Sequence, residues 1–403
     1  MNTSYIYHAL GLKDYECNKT EYKGNEIIHH LRKRSDKICC SHCHSRRVVG
    51  NGSKLRRFRS VNIGEKHQTL VVRINRLKCS FCGCDAYEHI PFATGKQRYT
   101  HRLAHCVVTL LKKMSIKDVA GYLGLSWDTV KDIHRNYLHH KFARVDLRKV
   151  RHIGIDEFAV HRGHEYMTIV VDMDRGVIVH VGQGRGADAL RDFWKKVRKQ
   201  KVRIESVSTD LSAAFISAVM ANLPDATYVF DRFHVQGLVG DALERTRRAI
   251  WHTDMEVDRR KLIKGTRWLL LRNGPDLYDD ERKRLENVLQ LNEPLYKAYV
   301  LKEYFREVWT QTTKAEAEKV LDDWLEQAAE SGVPQLKRLA CSIAGFKSGI
   351  LAYYDCRTSN AKVEGINNKI KVLKRTAYGY RDDEYFKLRL FNLHNDKITR
   401  FVG

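Results

Sequence analysis

The chain has 403 residues, enough for two to four domains of about 100 to 200 residues each. With 43% hydrophobic residues, 30% charged residues and only five prolines, it is neither collagen-like, nor proline-rich, nor wholly disordered. Its 72 lysines and arginines against 48 aspartates and glutamates give a formal net charge of +24, which indicates a polyanionic partner. Nucleic acid is the polyanion that fits best, because contacts between basic side chains and phosphates release condensed counterions and so favour binding. The alternative is a basic surface that binds no particular partner.

No apolar run reaches the roughly 18 to 20 residues that a membrane-spanning helix needs, and the longest, Leu103 to Leu111, is interrupted by His105. The first residues show neither a basic region nor an apolar segment of a secretory signal. We therefore expect a cytoplasmic protein with no membrane partner. In that compartment the ten cysteines are expected to be thiols or metal ligands and not disulfides.

Residues 1–95 contain two C-x-x-C pairs separated by a segment with β-type alternation. Strands that bring the two pairs together create a tetrahedral site of four thiolates, which predicts a structural Zn²⁺ in a zinc ribbon. Unligated thiols and redox dithiols are the alternatives, and the nearby Cys39, His42, His44 and Cys84 leave the exact ligands open. The predicted ligands are Cys40, Cys43, Cys79 and Cys82. Basic neighbours predict a face toward DNA: Arg46, Arg47, Lys54, Arg56, Arg57 and Arg59.

Residues 96–148 are typical of a helix-turn-helix domain. An apolar helix ends at Gly124, and Ser126 is a natural N-cap for a second helix. In such units the first turns of the second helix enter the major groove, although an ordinary helical hairpin has the same pattern. The side chains predicted to contact DNA are Ser126, Trp127, Asp128, Thr129 and Lys131.

Residues 149–235 follow the order strand, strand, strand, helix, strand, helix, strand. The sequence DMDRG predicts a hairpin between the second and third strands, and a crossover helix follows. The sheet should therefore combine an antiparallel meander with parallel strands. Residues 236–354 are helix-compatible and highly charged, and 355–403 contain a basic helix. The predicted fold class is α/β, with a mixed sheet and a helical insertion.

Two acids stand at the ends of predicted strands in this sheet. Asp156 follows HIGI, and Asp210 follows SVST. If the two strands are neighbours, the carboxylates face each other across one pocket, which predicts a metal site. A lone aspartate at a strand end is otherwise a common turn or cap residue.

A third acid is expected from the helix in SNAKVEGINNKIKVLKRTAYGYRD, whose apolar face is set by Val363 and Ile366. Glu364 lies beside that face, and the alternative for it is an ordinary solvated residue. Polar residues one or two turns away form a stripe that could line a metal pocket: Asn360, Asn367 or Asn368, and Lys371. Basic residues expected to meet phosphates are Lys362, Lys369, Lys371, Lys374 and Arg375.

Three carboxylates that hold two divalent ions are suited to cleavage of a phosphodiester by in-line displacement. One ion activates the nucleophile and the other stabilises the leaving oxygen. Oxygen ligands favour Mg²⁺, with Mn²⁺ as a substitute. Water attacks first, and the freed 3′-hydroxyl can then attack a second DNA strand in the same pocket.

In this order, the motifs resemble the ISL3 family of bacterial insertion-sequence transposases over nearly the whole chain. The resemblance rests on the zinc ribbon, the helix-turn-helix, IGIDEFA, STDLSAAF, VFDRFHV and the segment around Glu364. It implies a ribonuclease-H-like catalytic domain whose Asp, Asp, Glu triad is Asp156, Asp210 and Glu364. It also implies a helical insertion between the second aspartate and the glutamate, double-stranded DNA as partner, and a homodimer that pairs two DNA ends.

The motif VFDRFHV contains Asp231 and His234 as D-x-x-H at the end of the last strand. A strand-to-helix cap with a packed histidine is one interpretation, and an accessory role at the metal site or on the DNA is the other. Four tryptophans of the insertion are expected to pack in its core rather than to stack on an unpaired base: Trp251, Trp268, Trp309 and Trp324.

The leading hypothesis is a nucleoid-associated DDE transposase that binds terminal inverted repeats and target DNA, then cleaves and rejoins strands with two Mg²⁺ ions. A domesticated, catalytically silent DNA-binding regulator is the alternative, and three acids kept together argue against it. A structure-selective nuclease of the same fold would not need two sequence-reading modules. The expected domains are 1–95, 96–148, 149–235, 236–354 and 355–403, the last of which completes the catalytic domain.

Overall fold

The computed structural model describes residues 3–161, 165–253, 261–356 and 361–395. The chain divides into two compact units, Met1–Arg144 with Lys371–Gly403, and Val145–Ile370. The stretch expected as 355–403 therefore divides near Lys371, and the five expected domain boundaries stay predictions. Among the residues that the structure describes, no helix is both long and apolar enough to cross a membrane.

The first unit contains a five-stranded sheet. Its strands are β1 (Tyr15–Lys23), β2 (Glu26–Lys33), β3 (Val48–Ile63), β4 (Lys66–Cys79) and β5 (Asp85–Tyr87). The order is β1-β2-β4-β3, with β5 also paired to β4. Only the β2–β4 pair is parallel within this sheet. Helix α1 (Thr3–Leu10) contributes Ile6 and Leu10 to a core that includes Phe58 and Leu70 of the sheet.

Three short helices follow in the same unit, α2 (His101–Leu110), α3 (Ile116–Leu123) and α4 (Trp127–Phe142). Each begins at a side-chain cap, in which Thr100, Ser115 or Ser126 accepts a hydrogen bond from the backbone N–H three residues ahead. Helix α3 ends at Gly124, whose φ of 61° favours glycine. The predicted helix, glycine break and capped second helix are confirmed.

The second unit contains the mixed sheet that the sequence predicts. Its strands are β6 (His152–Ala159), β7 (Tyr166–Asp172), β8 (Val177–Gln183), β9 (Ser206–Thr209) and β10 (Thr227–Phe230), in the order β10-β9-β6-β7-β8. Strands β6, β7 and β8 form the antiparallel meander, and β9 and β10 run parallel to β6. The helices between these strands are α5 (Arg191–Lys199) and α6 (Ala213–Asn222). Together with the β-sheet and the capped helices of the first unit, this mixed sheet agrees with the predicted fold class.

Helices fill the insertion that follows β10. They are α7 (Arg232–Thr253), α8 (Arg267–Leu271), α9 (Asp279–Gln290), α10 (Glu293–Phe305), α11 (Lys314–Glu330), α12 (Pro334–Leu351) and α13 (Tyr353–Cys356). Two further helices complete the chain, α14 (Ala361–Thr376) and α15 (Asp383–Phe391).

The helices of the insertion share one core, which also includes Phe230 of β10, and tryptophans contribute to it. Trp324 is fully buried, packs edge-on against Phe305, and donates its indole N–H to the Leu301 carbonyl at 2.8 Å. Trp309 is also buried, and Trp251 packs on the same core. Trp268 is 68% exposed, so core packing is wrong for this residue. It lies in the five-residue helix α8, which buries Leu269 and Leu270 on its other side.

Candidate active site and DNA-binding elements

Three aspartates directly follow the last paired positions of the parallel strand pairs β6–β9 and β9–β10. Asp156 does not end its strand as the sequence predicts, because β6 continues to Ala159 in its antiparallel pairing with β7. The ladder pairs that precede them are in register in both parallel pairs, so Asp156, Asp210 and Asp231 stand at the same level of the sheet. The Asp231 N–H continues the ladder by donating to the Thr209 carbonyl at 3.1 Å. Neighbouring strands lie about 4.8 Å apart, and residues at equivalent positions of parallel strands point to the same face. The two strands that carry Asp156 and Asp210 are therefore neighbours, and Asp231 extends the row.

Helix α14 lies on the sheet face that carries these aspartates. Gly154 shares that face with Asp156, because residues two apart in a strand point the same way. A Cβ at Gly154 would lie 2.7 Å from both Val363 Cγ2 and Met173 Sδ, so only glycine leaves room for the helix at its present distance. Lys362 fixes the start of the helix by donating to the Met173 carbonyl at 2.5 Å.

The contact between α14 and the acidic row is made by Asn367. Its Nδ2 donates to Asp156 Oδ2 at 2.5 Å. Glu364 is exposed and precedes Asn367 by three positions, and residues at that spacing are neighbours on a helix surface, about 5 to 6 Å apart between Cβ atoms. Glu364 therefore lies one turn from Asn367 on the same side of α14, but among the described residues the carboxylates of Asp156, Asp210 and Glu364 do not all come within 4.8 Å of one another. Asn360, the first residue of the expected polar stripe, lies outside the described residues.

If this site cleaves DNA as the sequence predicts, replacing Gly154 with valine is expected to displace α14 and to lower the cleavage rate by about 100-fold, because a misplacement near 1 Å at a reacting centre has that effect. We expect a stability loss of about 1 to 3 kcal/mol from overpacking. Gly345→Val is the matched control, since a Cβ at this exposed glycine of α12 meets nothing within 4 Å. Cleavage rates and melting temperatures of both variants test this, and equal rates would show that the close approach at Gly154 is irrelevant.

The acidic row has the electrostatics of a cation site. Burial raises the pKa of Asp156, the Glu157 N–H and the Asn367 amide oppose that shift, and Asp210 adds to it. Burial also raises the pKa of Glu157, and the nearby Asp210 raises it further. A bound divalent cation would lower these pKa values, because its charge compensates the neighbouring carboxylates. The oxygen donors present therefore fit Mg²⁺ or Mn²⁺.

Asp231 caps the start of α7 and also belongs to the row of aspartates, and His234 lies beside it. Asp231 Oδ1 accepts the Phe233 N–H at 2.9 Å, as expected for a cap at the start of α7. Its Oδ2 lies 3.6 Å from Nε2 of the half-exposed His234. An open pocket of about 410 Å³ beside the row is lined by Asp210, Phe233 and His234 among others. The cap describes the geometry of Asp231, but the expected packed histidine is wrong, because His234 is half-exposed and faces the pocket.

The four predicted thiolates converge in the first unit. Their sulfur atoms lie within 4.8 Å of one another, and this group includes neither Cys39 nor Cys84. Cys40 Sγ is 3.7 Å from Cys82 Sγ, and Cys43 Sγ is 3.6 Å from Cys79 Sγ. Tetrahedral coordination at about 2.3 Å requires sulfur separations of about 3.8 Å. The spacing therefore fits a closed, structural Zn²⁺ site.

Backbone N–H groups lower the pKa of Cys40 and of Cys79, whereas burial and the neighbouring thiols outweigh the Ser45 N–H and raise the pKa of Cys43. The N–H groups of Cys43 and His42 lower the pKa of Cys40 to about 6. The second C-x-x-C repeats the arrangement, with the Phe81 N–H 3.4 Å from Cys79 Sγ. Because Zn²⁺ binds the deprotonated thiol, these donors favour metal binding.

The helix-turn-helix presents only part of its predicted contact surface. Trp127 is 47% exposed at the first turn of α4. The Ser126 hydroxyl accepts the Thr129 N–H at 3.2 Å and contacts the Thr129 hydroxyl at 2.8 Å, so both side chains take part in the cap. Lys131 Nζ lies 2.8 Å from Asp382 Oδ2. DNA phosphates would have to compete with that carboxylate for Lys131.

The segment that begins α15 anchors α4 from within the same unit. Buried His134 Nδ1 lies 2.6 Å from the Tyr385 hydroxyl. Arg135 lies 3.8 Å from Asp382 and 3.3 Å from Glu384. Burial, with the nearby Arg389, lowers the pKa of His134 to about 3. This histidine is therefore neutral in the folded unit at ordinary pH.

His134 is expected to make the first unit less stable in mild acid. Its native pKa lies below the unfolded value of about 6.5, so its contribution is complete above that pH and is lost as pH falls toward 3. Between pH 7 and pH 5 the loss is about 2 kcal/mol. Thermal unfolding of the wild type and of His134→Asn at both pH values tests this, since the variant should lose less stability. Identical pH dependence in both proteins would contradict it.

The remaining predicted DNA contacts differ in accessibility. Arg46, Arg47 and Arg57 are exposed. Arg56 points to the face of β3 opposite Arg57 and donates to the Gly95 and Gln97 carbonyls, at 2.9 and 2.7 Å. In the second half of α14, Lys371 and Arg375 are exposed and Lys374 is half-buried.

Sequence reasoning passed over Gly154 and placed Asn367 only as one member of a stripe. The available signal was the alternation of the strand, because a glycine two residues before a candidate ligand leaves space on the ligand's own face. The pairing of Lys131 with Asp382 had no local signal, since the two residues are far apart along the chain.

Three family models match this chain. One described as a transposase covers residues 153–390, and one described as the helix-turn-helix domain of transposase family ISL3 covers residues 88–138. The third, described as the zinc-finger of the transposases of IS204, IS1001, IS1096 and IS1165, covers residues 36–82. The matches follow one another in the order predicted for the ribbon, the helix-turn-helix and the catalytic sheet.

Curated relatives extend along almost the full length. The chain is 34% identical over 386 residues to the transposase for insertion sequence element IS1001 of Bordetella parapertussis, covering 94% of this chain and 95% of that protein. It is 27% identical to the transposase for IS1557 of Mycobacterium tuberculosis, covering 90% and 87%. The Drosophila P element transposase strand transfer complex aligns at a TM-score of 0.37 with 11% identity, over 74% of this chain and 92% of that one, which is too distant to carry an argument. The chain belongs to the ISL3 family of transposases.

Proposed function

We propose that Asp156, Asp210 and Glu364 form the catalytic triad of a DDE transposase of a bacterial insertion sequence and hold two Mg²⁺ ions, for which Mn²⁺ can substitute. The observation that carries the proposal is the register of the sheet. In support, the register of β6 and β9 brings Asp156 beside Asp210, and Asn367, one turn after Glu364 on α14, donates a hydrogen bond to Asp156.

The protein's own residues supply alignment and charge. Asp156 sits between strand and helix, fixed by the Glu157 N–H at 2.8 Å and by Asn367. Asp210 accepts the Ser212 N–H at 3.1 Å through Oδ1. When bound, the ions supply the Lewis acidity that activates a water or a 3′-hydroxyl and stabilises the leaving oxygen. The carboxylates of Asp156, Asp210 and Glu364 would hold the ions in fixed positions, so that the scissile phosphate could be aligned with its attacker.

Recognition is assigned to the first unit. The helix-turn-helix and the zinc ribbon bind the terminal inverted repeats, with Zn²⁺ holding the ribbon together through Cys40, Cys43, Cys79 and Cys82. Exposed basic residues contact phosphates of the ends and of the target DNA. Pairing of two ends requires two copies of the chain, so a homodimer forms the synaptic complex. Asp231 and His234 act as accessory groups beside the metal site.

Incubation of the purified protein with labelled candidate element ends tests the proposal. Cleavage and strand transfer are expected with Mg²⁺ and are expected to stop with EDTA. Tight binding to the ends without cleavage in Mg²⁺ or Mn²⁺ would favour the silent regulator. Cleavage that continues in EDTA would refute the metal mechanism.

Binding to the ends is expected to weaken steeply with salt. A protein that neutralises six to ten phosphates loses about 10³-fold or more in affinity between about 50 and 200 mM salt. Fluorescence anisotropy over that range measures the slope. A flat response would contradict phosphate contacts as the source of the +24 net charge.

A further inference from the structure

The side chain of Asn367 is only half satisfied. Its Nδ2 donates to Asp156, but its Oδ1 is buried, and among the described residues no group donates a hydrogen bond to it. Buried acceptors are normally paired, and one left without a donor is costly. Asn367 therefore has an unused amide oxygen on the same group that contacts Asp156.

Amide oxygens are hard ligands of the kind that divalent cations take together with carboxylates. Rotation of the Asn367 amide by half a turn exchanges its oxygen and nitrogen, which are nearly equal in shape. The rotated oxygen would face Asp156 Oδ2, and two oxygens so close repel each other unless a cation lies between them.

We infer that Asn367 is a further ligand of the cation held by Asp156. The inference rests on the proposed function. Without a cation, the amide donates to Asp156 and holds the carboxylate in position. With a cation, the amide turns and gives its oxygen to the same ion. The side chain thereby ties α14, and with it Glu364, to the loaded site.

Binding of Mn²⁺ to the zinc-loaded full chain tests this, with free Mn²⁺ followed by electron paramagnetic resonance. Asn367→Leu has similar size but no oxygen, and we expect its Mn²⁺ affinity to fall about 10-fold or more. Asn367→Asp keeps an oxygen and loses the N–H, and we expect it to bind at least as tightly as the wild type. Asn368→Ala, at the exposed neighbouring position of α14, is the matched control and should bind as the wild type does.

The outcomes separate this inference from the proposed function. Unchanged affinity in Asn367→Leu would overturn the ligand role, and so would an Asn367→Asp variant that binds as weakly as Asn367→Leu. If Asn367→Leu fails to fold, the Asn367→Asp result alone decides. Wild-type Mn²⁺ affinity in Asp156→Asn would overturn the proposed metal site itself. Weak binding in Asp156→Asn beside normal binding in Asn367→Leu would overturn only the inference.

Discussion

Replacing Asp156 with asparagine is expected to lower Mg²⁺-dependent strand cleavage by about 10³-fold or more and to leave binding to the ends unchanged. The amide is nearly equal in shape to the carboxylate, so the loss reports charge and metal binding and not folding. Asp156 lies within β6, in the unit that does not contain the helix-turn-helix, so recognition should survive. Asp210→Asn and Glu364→Gln are expected to behave in the same way.

Gel assays of cleavage with anisotropy measurements of binding separate the two effects. Asp188→Asn is the matched control, because its carboxylate is 86% exposed and lies in the same unit. It should cleave at the wild-type rate. Cleavage at that rate by any of the three triad variants would remove that residue from the triad.

Loss of the structural zinc is expected to lower the affinity for the DNA ends by about 100-fold or more. Metal binding in zinc fingers supplies folding free energy on the order of 10 kcal/mol, so the ribbon should not hold its shape without it. Cys40→Ser removes one of four converging sulfurs and is expected to have the same effect as a chelator. Elemental analysis should find one zinc per wild-type chain.

Cys341→Ser is the control for this experiment, because Cys341 is exposed in α12 and lies outside the cluster. It should retain zinc and bind the ends normally. The second unit has its own core, so the helical signal of the insertion should persist after chelation. Equal end binding with and without zinc would show that the ribbon has no part in recognition.

Features encoded locally were predictable from the sequence. The spacing of the two C-x-x-C pairs predicts the zinc site. The alternation of Leu70, Val72 and Ile74 predicts a strand, and all three residues are buried in it. Ser126 and Gly124 mark the ends of two helices through cap chemistry alone. The hairpin at DMDRG and the parallel strands after it follow from turn residues and crossover rules.

Features that depend on contacts between distant parts of the chain could not be predicted from the sequence. Whether Asp156 and Asp210 are neighbours depends on strand order, which alternation within a strand does not encode. The need for glycine at position 154 becomes clear only from the three-dimensional structure, in which Val363 of α14 packs against it. The position of Lys131 in the first turns of the second helix predicts a DNA contact, but its side chain forms an ion pair with Asp382. Each depends on a contact across more than fifty positions, where pattern periodicity carries no information.

Anomalous diffraction from Mn²⁺ in crystals of the protein with its cleaved DNA ends tests the central claim most directly. The account predicts two peaks about 3.5 to 4 Å apart, coordinated by the carboxylates of Asp156, Asp210 and Glu364. A DNA-bound structure in which the Glu364 carboxylate lies more than about 10 Å from both aspartates would contradict it.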